Sequence, residues 1–162
     1  MFRKMRRGKQ VLTDEMCIEV MARNTNGVMA CMGDDDYPYA VPLSYVYSNG
    51  KVYFHSAKSG HKVDAILKHS KVSFTVIDED TIVSQEYTTY FRSVIAFGKA
   101  RVVEGEEWTN AFRALVEKYS GDVPKEIREK EISGCTTSLI IAIDIEHMTG
   151  KEAIELVKAR HS

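Results

Sequence analysis

Residues 37–62 read YPYAVPLSYVYSNGKVYFHSAKSGHK, and they carry the clearest local structural signals in the chain. The Asn49-Gly50 dipeptide at its centre is a strong signal of a two-residue type I′ turn between antiparallel strands. The strand that follows, 51–55, alternates an apolar face with a face that carries Tyr53 and His55. The stretch therefore predicts a β-hairpin.

Together with the hairpin, the rest of the sequence predicts six strands and several short helices. Thr13 followed by Asp14 and Glu15 is typical of a helix N-cap with acidic residues in the first turn. The predicted helices are 14–23, 60–68, 106–119 and 124–130. The predicted strands are 28–32, 39–47, 51–55, 72–77, 92–104 and 138–145, and the acidic residues 78–89 are predicted to form a loop. These elements predict a mainly β protein of the α+β class, a closed or partly closed antiparallel β-barrel with peripheral helices.

Composition predicts one domain and excludes several classes of partner. No repeat or linker-like tract occurs, so we expect a single domain over 1–162, with a basic arm at 1–12 and a helix at 13–23. A net charge of −1 gives no general attraction for nucleic acid or an anionic membrane. The three cysteines are widely spaced and form no CxxC pair, so we expect reduced thiols and no metal site. No membrane-spanning run or signal peptide is evident, so we expect a cytoplasmic protein.

The basic arm carries five cations and no acidic residue. They are Arg3, Lys4, Arg6, Arg7 and Lys9. A charge run of this kind is usually a solvated segment. The alternative is that the arm folds over an anionic ligand or an acidic surface of a partner.

Pro42 interrupts a β-rich segment. Because proline has no N–H to donate to a neighbouring strand, it belongs on an edge strand or at a bulge. One interpretation is a plain edge strand. The other is that the backbone N–H and C=O groups beside Pro42 remain free to meet a flat heteroaromatic ring edged with carbonyls and nitrogens.

Residues 53–62 lead from a strand through a turn of small residues into a helix start. Backbone N–H groups at a helix start lack intrahelical partners, so they form an anion site. Ser56 and Ser59 add hydroxyl groups, and Lys62 adds a full charge. The alternative is that Ser59 is only an N-cap and that Lys58 and Lys62 are solvated. Neither GxxxxGK[ST] nor GxGxxG occurs, which argues against a P-loop or a Rossmann fold.

The run 27–76, GVMACMGDDDYPYAVPLSYVYSNGKVYFHSAKSGHKVDAILKHSKVSFTV, resembles the nitroimidazole-resistance family of flavin-binding split barrels. Pyridoxamine 5′-phosphate oxidase is the best-known relative of that family. The most specific elements are PxxVPLxY, the hairpin and YFHxxxxGxK, and a looser resemblance continues through 90–100. The resemblance implies a six-stranded antiparallel split barrel that forms a homodimer, with flavin mononucleotide (FMN) at the subunit interface.

The resemblance also implies which residues bind the cofactor. The strand residues expected along the isoalloxazine ring are Pro42, Leu43, Ser44 and Tyr45. The residues expected at the ribityl phosphate are His55, Ser56, Ala57 and Lys62, and those expected from the partner subunit are Ser93 and Val94. His55 is also the catalytic candidate, because an imidazole can donate a proton near neutral pH, and His61 in the same loop competes for that role.

The function implied by the resemblance is that of an FMN-dependent oxidoreductase. It would take electrons from a reduced nicotinamide or another donor and pass them to a small nitroaromatic, such as a 5-nitroimidazole, or to a quinone-like acceptor. One alternative is a non-catalytic flavin store or redox sensor. Another is a barrel that binds haem, with His55 or His61 as the axial ligand.

Overall fold

The computed structural model describes residues 2–135 and 138–162. They form one antiparallel sheet of seven strands in the order β2-β1-β5-β6-β7-β4-β3. The strands are β1 (Asn26–Met32), β2 (Pro38–Ser44), β3 (Val46–Ser48), β4 (Lys51–Ser56), β5 (Lys71–Val83), β6 (Thr88–Val103) and β7 (Leu139–Glu152). Asn49 and Gly50 join β3 to β4 with φ values of 47° and 75°, as a type I′ turn requires. The predicted hairpin is confirmed.

The seventh strand arises at Tyr45, which divides the predicted strand 39–47 into β2 and β3. These strands lie at opposite ends of the sheet order, yet this single residue joins them. The sheet must therefore curl until its two edges meet, and the predicted split barrel is confirmed with seven strands instead of six. At this junction, which we call the seam, Tyr45 is fully buried and its hydroxyl donates a hydrogen bond to the backbone oxygen of Met21, 2.7 Å away.

Around the barrel, the described residues form five helices. They are α1 (Asp14–Arg23), α2 (His61–Lys68), α3 (Gly105–Ser120), α4 (Lys125–Gly134) and α5 (Ile154–Arg160). Thr13 caps α1 as predicted, because its Oγ1 accepts a hydrogen bond from Met16 N at 3.2 Å. In α2, Leu67 is 69% exposed, whereas Ala65 is buried. None of these helices is long and apolar enough to cross a membrane.

Two groups of buried side chains hold the barrel and its helices together. The larger group fills the barrel interior, where the rings of Tyr45 and Phe74 meet edge to face with their centres 4.9 Å apart. The smaller group packs Tyr53 and Ile140 against Leu115 of α3. The alternation predicted for β4 therefore gives each face of that strand its own apolar layer.

The prediction of a loop at 78–89 is wrong. β5 and β6 continue as a paired hairpin to Val83 and Thr88, and a turn at Ser84–Glu86 closes it. None of its residues from 79 to 90 is buried, and at the tip Tyr87 is 98% exposed. Main-chain pairing rather than burial defines these strand ends, so a pattern based on alternating burial does not detect them.

A series of ion pairs fixes the base of this long hairpin. Glu152 is fully buried at the end of β7, where Arg160 of α5 contacts it and Arg92 of β6 binds it at 3.0 Å. Arg92 also binds Asp78 of β5 at 3.0 Å, and Asp78 binds Arg23 of α1 at 2.5 Å. The five side chains alternate in charge and tie two helices to three strands.

Acid is expected to weaken this series at Asp78. Burial raises the pKa of Asp78, but hydrogen bonds from Arg23, Asn24 and Arg92 outweigh it and hold the pKa at about 2, against 3.8 for an ordinary aspartate. Because the folded state binds the proton less tightly, Asp78 stabilises the fold fully above about pH 5 and loses that contribution, about 2 kcal/mol, as the pH falls toward 2.

The measurement is the free energy of unfolding as a function of pH. In Asp78→Asn, the free energy of unfolding should decline less steeply than in the wild type between about pH 5 and pH 2. The exposed Asp122→Asn serves as the control and should follow the wild type. An Asp78→Asn variant that loses stability in acid as steeply as the wild type would contradict the prediction.

The two buried cysteines behave as inert thiols. Burial raises the pKa of the Cys17 thiol to about 11, and Asp14 adds to the effect. Burial also raises the pKa of Cys31. Both side chains are free and belong to the barrel core, so they remain protonated at neutral pH.

Candidate cofactor-binding site

Strand β2 forms an open edge with an exposed outer face. Among the described strands it pairs only with β1, with Pro42 opposite Val28, so Pro42 lies on an edge strand as predicted. Pro42 and Ser44 are exposed, whereas Leu43 is 8% exposed and packs inside the barrel. Along the open side, every second residue directs its N–H and C=O groups away from β1. The edge therefore offers both side chains and backbone groups to a ligand.

The turn between β4 and α2 leaves the helix start uncapped. Ser56 is 6% exposed at the end of β4, and Ala57 begins an exposed turn that ends at Gly60. Gly60 is the N-cap, with a φ of 135° that favours glycine, and no side chain caps the helix. The alternative in which Ser59 is the N-cap is therefore wrong. The first N–H groups of α2 remain available to an anion.

Lys62 stands in the first turn of α2. It is half-buried, and its Nζ lies 5.7 Å from the centre of the Phe54 ring. Within residues 2–135 and 138–162, no carboxylate forms an ion pair with it. A cation in the first turn is unfavourable for the helix dipole. A lysine without a protein partner at this position therefore fits an anion bound at the helix start.

A cleft of about 280 Å³ brings Ser44 and His55 together. His55 is exposed near the end of β4, opposite Ile140 of β7. The residues of α3 that line the cleft are Phe112, Leu115, Val116, Tyr119 and Ser120. The sequence predicted a helix at 106–119 but not its place at the site. The only local signal was a tyrosine at the end of an apolar stripe.

Glu107 fixes the beginning of α3 on the barrel. Arg101 of β6 donates two hydrogen bonds of 2.8 Å to Glu107 and pairs with Asp144 of β7 at 2.6 Å. The Tyr53 hydroxyl donates a further bond of 2.9 Å to Glu107. Hydrogen bonding from Arg101 holds the pKa of Glu107 at about 2, while burial and then the bond to Glu107 raise the pKa of Tyr53 to about 12. Both groups therefore keep their charge state across the physiological range.

Tyr119 fixes the end of α3 to the seam. Its hydroxyl oxygen accepts a hydrogen bond from Tyr45 N at 2.8 Å and lies 2.6 Å from Tyr45 O and 2.7 Å from Thr25 O. Lys118 Nζ donates to Asn24 O at 2.5 Å and lies 4.6 Å from the centre of the Tyr45 ring. Burial raises the pKa of Tyr119 and lowers that of Lys118. The side chain of Tyr45, expected along the ring, is thus held inside the barrel.

Ser93 and Val94 lie far from the cleft within one chain. Val94 is fully buried, and Ser93 is half-buried. The part of β6 nearest to His55 is Val103, which pairs with Ile140, the residue opposite His55. Ten residues separate 93 from 103, which is roughly 30 Å along a strand. One chain therefore does not bring Ser93 and His55 together.

His61 is engaged away from the cleft. Its ring stacks on Tyr39 with the ring centres 4.1 Å apart, and its Nε2 accepts a hydrogen bond from Asp34 N at 3.4 Å. These contacts attach α2 to the turn between β1 and β2. His55, which lines the cleft, is therefore the better placed of the two histidines.

Comparison with known families then identifies the fold. The family model described as pyridoxamine 5′-phosphate oxidase matches residues 13–152. The chain belongs to this family. The match runs from the N-cap of α1 to the end of β7 and so includes every strand of the barrel, while residues 1–12 of the basic arm lie outside it.

Solved structures share the split-barrel fold. A structure from Bacteroides thetaiotaomicron VPI-5482, described as "a putative 5-nitroimidazole antibiotic resistance protein", matches 88% of this chain and 86% of its own, with a TM-score of 0.72 and 20% identity. An FAD-binding protein from Mesorhizobium loti matches 89% of this chain and 97% of its own, with a TM-score of 0.60 and 23% identity. An FAD and haem binding protein from Mycobacterium smegmatis matches 95% of this chain and 80% of its own, with a TM-score of 0.66 and 17% identity. At these identities the similarity establishes the fold.

Proposed function

We propose that the protein binds FMN along β2 and at the start of α2, and that it works as a flavin-dependent oxidoreductase. One juxtaposition carries the proposal. An uncapped helix start bearing Lys62 follows the strand of His55, and His55 shares a cleft with Ser44 of the exposed edge strand. The first feature fits a phosphate, the exposed edge strand fits the flat ring of a flavin, and the cleft beside that strand fits an acceptor. Membership of the pyridoxamine 5′-phosphate oxidase family and the FAD-binding descriptions of two structural neighbours support a flavin.

The residues of the site fit the two ends of a flavin nucleotide. The first N–H groups of α2 and the ammonium of Lys62 would bind the phosphate through charge-assisted hydrogen bonds. Among the described residues, and apart from Gly60 itself and its two chain neighbours, no atom lies within 4 Å of the position that a side chain on Gly60 would take, so a phosphate can approach the backbone there. Pro42 and Ser44 would contact the ring, while the buried Leu43 and Tyr45 hold the strand from inside the barrel.

We further propose that a second copy of the chain completes the site. If Ser93 contacts the flavin, it must do so from the partner subunit. Within one chain it lies ten residues along β6 from Val103, the residue of that strand nearest to His55. The outer face of β1, β5 and β6 also exposes apolar side chains that a partner would cover. They are Met32 (39% exposed), Ile77 (63%), Ile95 (40%) and Phe97 (38%). Exposed apolar faces of this kind mark interaction surfaces.

The cleft between β4 and α3 suits a small electron acceptor. When bound, the flavin supplies the transfer of electrons between donor and acceptor. The apolar side chains of α3 form one wall for a flat nitroaromatic or quinone, and Ser44 and His55 offer hydrogen bonds to its polar groups. The imidazole of His55 would be the group that donates a proton to the acceptor.

Three measurements test the proposal. Purified protein titrated with FMN and with FAD should acquire flavin absorbance at one flavin per chain, and light scattering should show a dimer. The loaded protein should then oxidise a reduced nicotinamide in the presence of a quinone or a 5-nitroimidazole. Protein that stays colourless with both flavins would reject the flavin site, and bound flavin without turnover would leave a flavin store or redox sensor.

Haem is the second candidate ligand. One structural neighbour is described as binding both FAD and haem, and the exposed His55 could supply an axial ligand. Titration with haemin distinguishes the candidates, because a Soret band that disappears in His55→Ala would favour haem. Haem binding unaffected by that substitution would exclude His55 as the ligand.

A further inference from the structure

The basic arm folds back over the outer side of the barrel. At one end Leu12 N donates a hydrogen bond to Gly150 O of β7 at 3.0 Å. At the other end the ring of Phe2 stacks on His147 of β7, with the ring centres 4.5 Å apart and the planes 6° apart. A cleft of about 520 Å³ lies between the arm and β7.

This cleft, which we call the arm cleft, combines aromatic faces with positive charge. Phe2 and His147 line it, and Phe97 of β6 lies beside them with its ring centre 5.4 Å from that of Phe2. Arg3 and Lys4 line the same cleft. Aromatic faces bind planar rings by stacking, and arginine and lysine bind phosphate groups.

No carboxylate balances the charge of the arm. In the part of the chain that the structure describes, none of its five cations forms an ion pair. The arginines that do form ion pairs are Arg23, Arg92, Arg101, Arg113 and Arg160. Cations gathered around a cleft without acidic partners fit an anionic ligand.

We propose that the arm cleft binds a nucleotide, which is a planar heterocycle that carries a phosphate. The heterocycle stacks on the outward face of the Phe2 ring, which is 43% exposed and whose other face lies against His147, and the phosphate meets Arg3 and Lys4. The volume falls within the range of about 300–1,000 Å³ that is usual for small-molecule sites. The overall charge of −1 disfavours a polynucleotide. The site goes beyond the proposed flavin site, because His147 lies seven residues along β7 from Ile140, the residue opposite His55, which is roughly 23 Å along a strand.

Three kinds of molecule carry such a group. They are a free nucleotide, FAD through its adenylate half, and a reduced nicotinamide donor through its adenylate half. In each case the same aromatic and cationic groups of the arm make the contact. The arm residues of the cleft lie outside the family match at 13–152, whereas His147 of β7 lies within it.

Calorimetric titration of the full chain with AMP tests the proposal. AMP should bind saturably, and Phe2→Ala and the double variant Arg3→Ala/Lys4→Ala should each weaken binding at least tenfold. Rising salt should weaken it further. The matched control is Lys125→Ala/Lys130→Ala, which removes the same charge from exposed positions of α4 and should leave binding unchanged. Circular dichroism of every variant checks that the fold is retained.

Further titrations distinguish the sources. Weaker FAD binding with unchanged FMN binding in the arm variants would assign the adenylate of FAD. A weaker interaction with the reduced nicotinamide would assign the donor, and an effect on AMP alone would assign a free nucleotide. Absence of saturable AMP binding, equal losses in the control variant, or inorganic phosphate bound as tightly as AMP would overturn the proposal. Because AMP binding needs no flavin, its failure leaves the proposed flavin site untouched.

Discussion

Replacing Lys62 by alanine is expected to weaken FMN binding about ten- to a hundredfold, which corresponds to about 1.5–3 kcal/mol. The physical reason is the loss of a charge-assisted hydrogen bond to a doubly negative phosphate at the start of α2. The lysine has no protein carboxylate as a partner within residues 2–135 and 138–162, so the substitution leaves no buried anion behind. The dissociation constant from a flavin fluorescence titration measures the effect.

The control for this prediction lies on the same helix. Lys68→Ala removes an exposed lysine from the last turn of α2 and should leave the dissociation constant unchanged. The melting temperature of both variants should be measured, because Lys62 also contacts the Phe54 ring. Equal FMN affinity in Lys62→Ala and wild type would place the phosphate elsewhere.

Glu152→Gln is expected to lower the free energy of unfolding by about 3 kcal/mol. Glu152 is fully buried between Arg92, at 3.0 Å, and Arg160. Glutamine keeps the shape of the side chain but removes the charge, so Arg160 loses its carboxylate partner and Arg92, which is only 20% exposed, keeps only Asp78. Urea denaturation, extrapolated linearly to water, measures the loss.

A second glutamate of β7 provides the control. Glu146 pairs with Lys99 at 3.4 Å, and the two side chains are 43% and 55% exposed. Exposed pairs of this kind contribute about 0–1 kcal/mol, so Glu146→Gln should unfold almost like the wild type. A similar decrease in the free energy of unfolding in the two variants would mean that burial of the ion pair does not determine its contribution to stability.

The sequence predicted correctly those features of the fold that depend on residues close together in the chain. The turn at Asn49 and Gly50, the Thr13 cap and the alternation along β4 each depend on neighbouring residues. The extended hairpin of β5 and β6 depends on main-chain pairing and on Asp78, whose partners lie 55 and 14 residues away in the chain. No short pattern contains such contacts, and the acidic composition pointed to a loop.

The candidate site was predictable only on its strand side. Pro42, Leu43 and Ser44 were all expected along the ring, and the alternation of β2 exposes Pro42 and Ser44 but directs Leu43 into the barrel. The same rule did not anticipate that Tyr45 ends the strand at the seam. The wall of the cleft comes from α3, about sixty residues further along the chain. Its position depends on the bonds of Glu107 and Tyr119 to distant strands, which no motif in the sequence encodes.

The single residue between β2 and β3 leaves no spare length at that junction. One added or deleted residue there would exchange the inward and outward side chains of β3, because strand residues alternate with a period of two. The exposed turn at Ser84–Glu86 carries no such restriction. Natural variation in chain length should therefore accumulate at the hairpin tip and avoid position 45. The tip is accordingly the place to insert an epitope tag without disturbing the barrel.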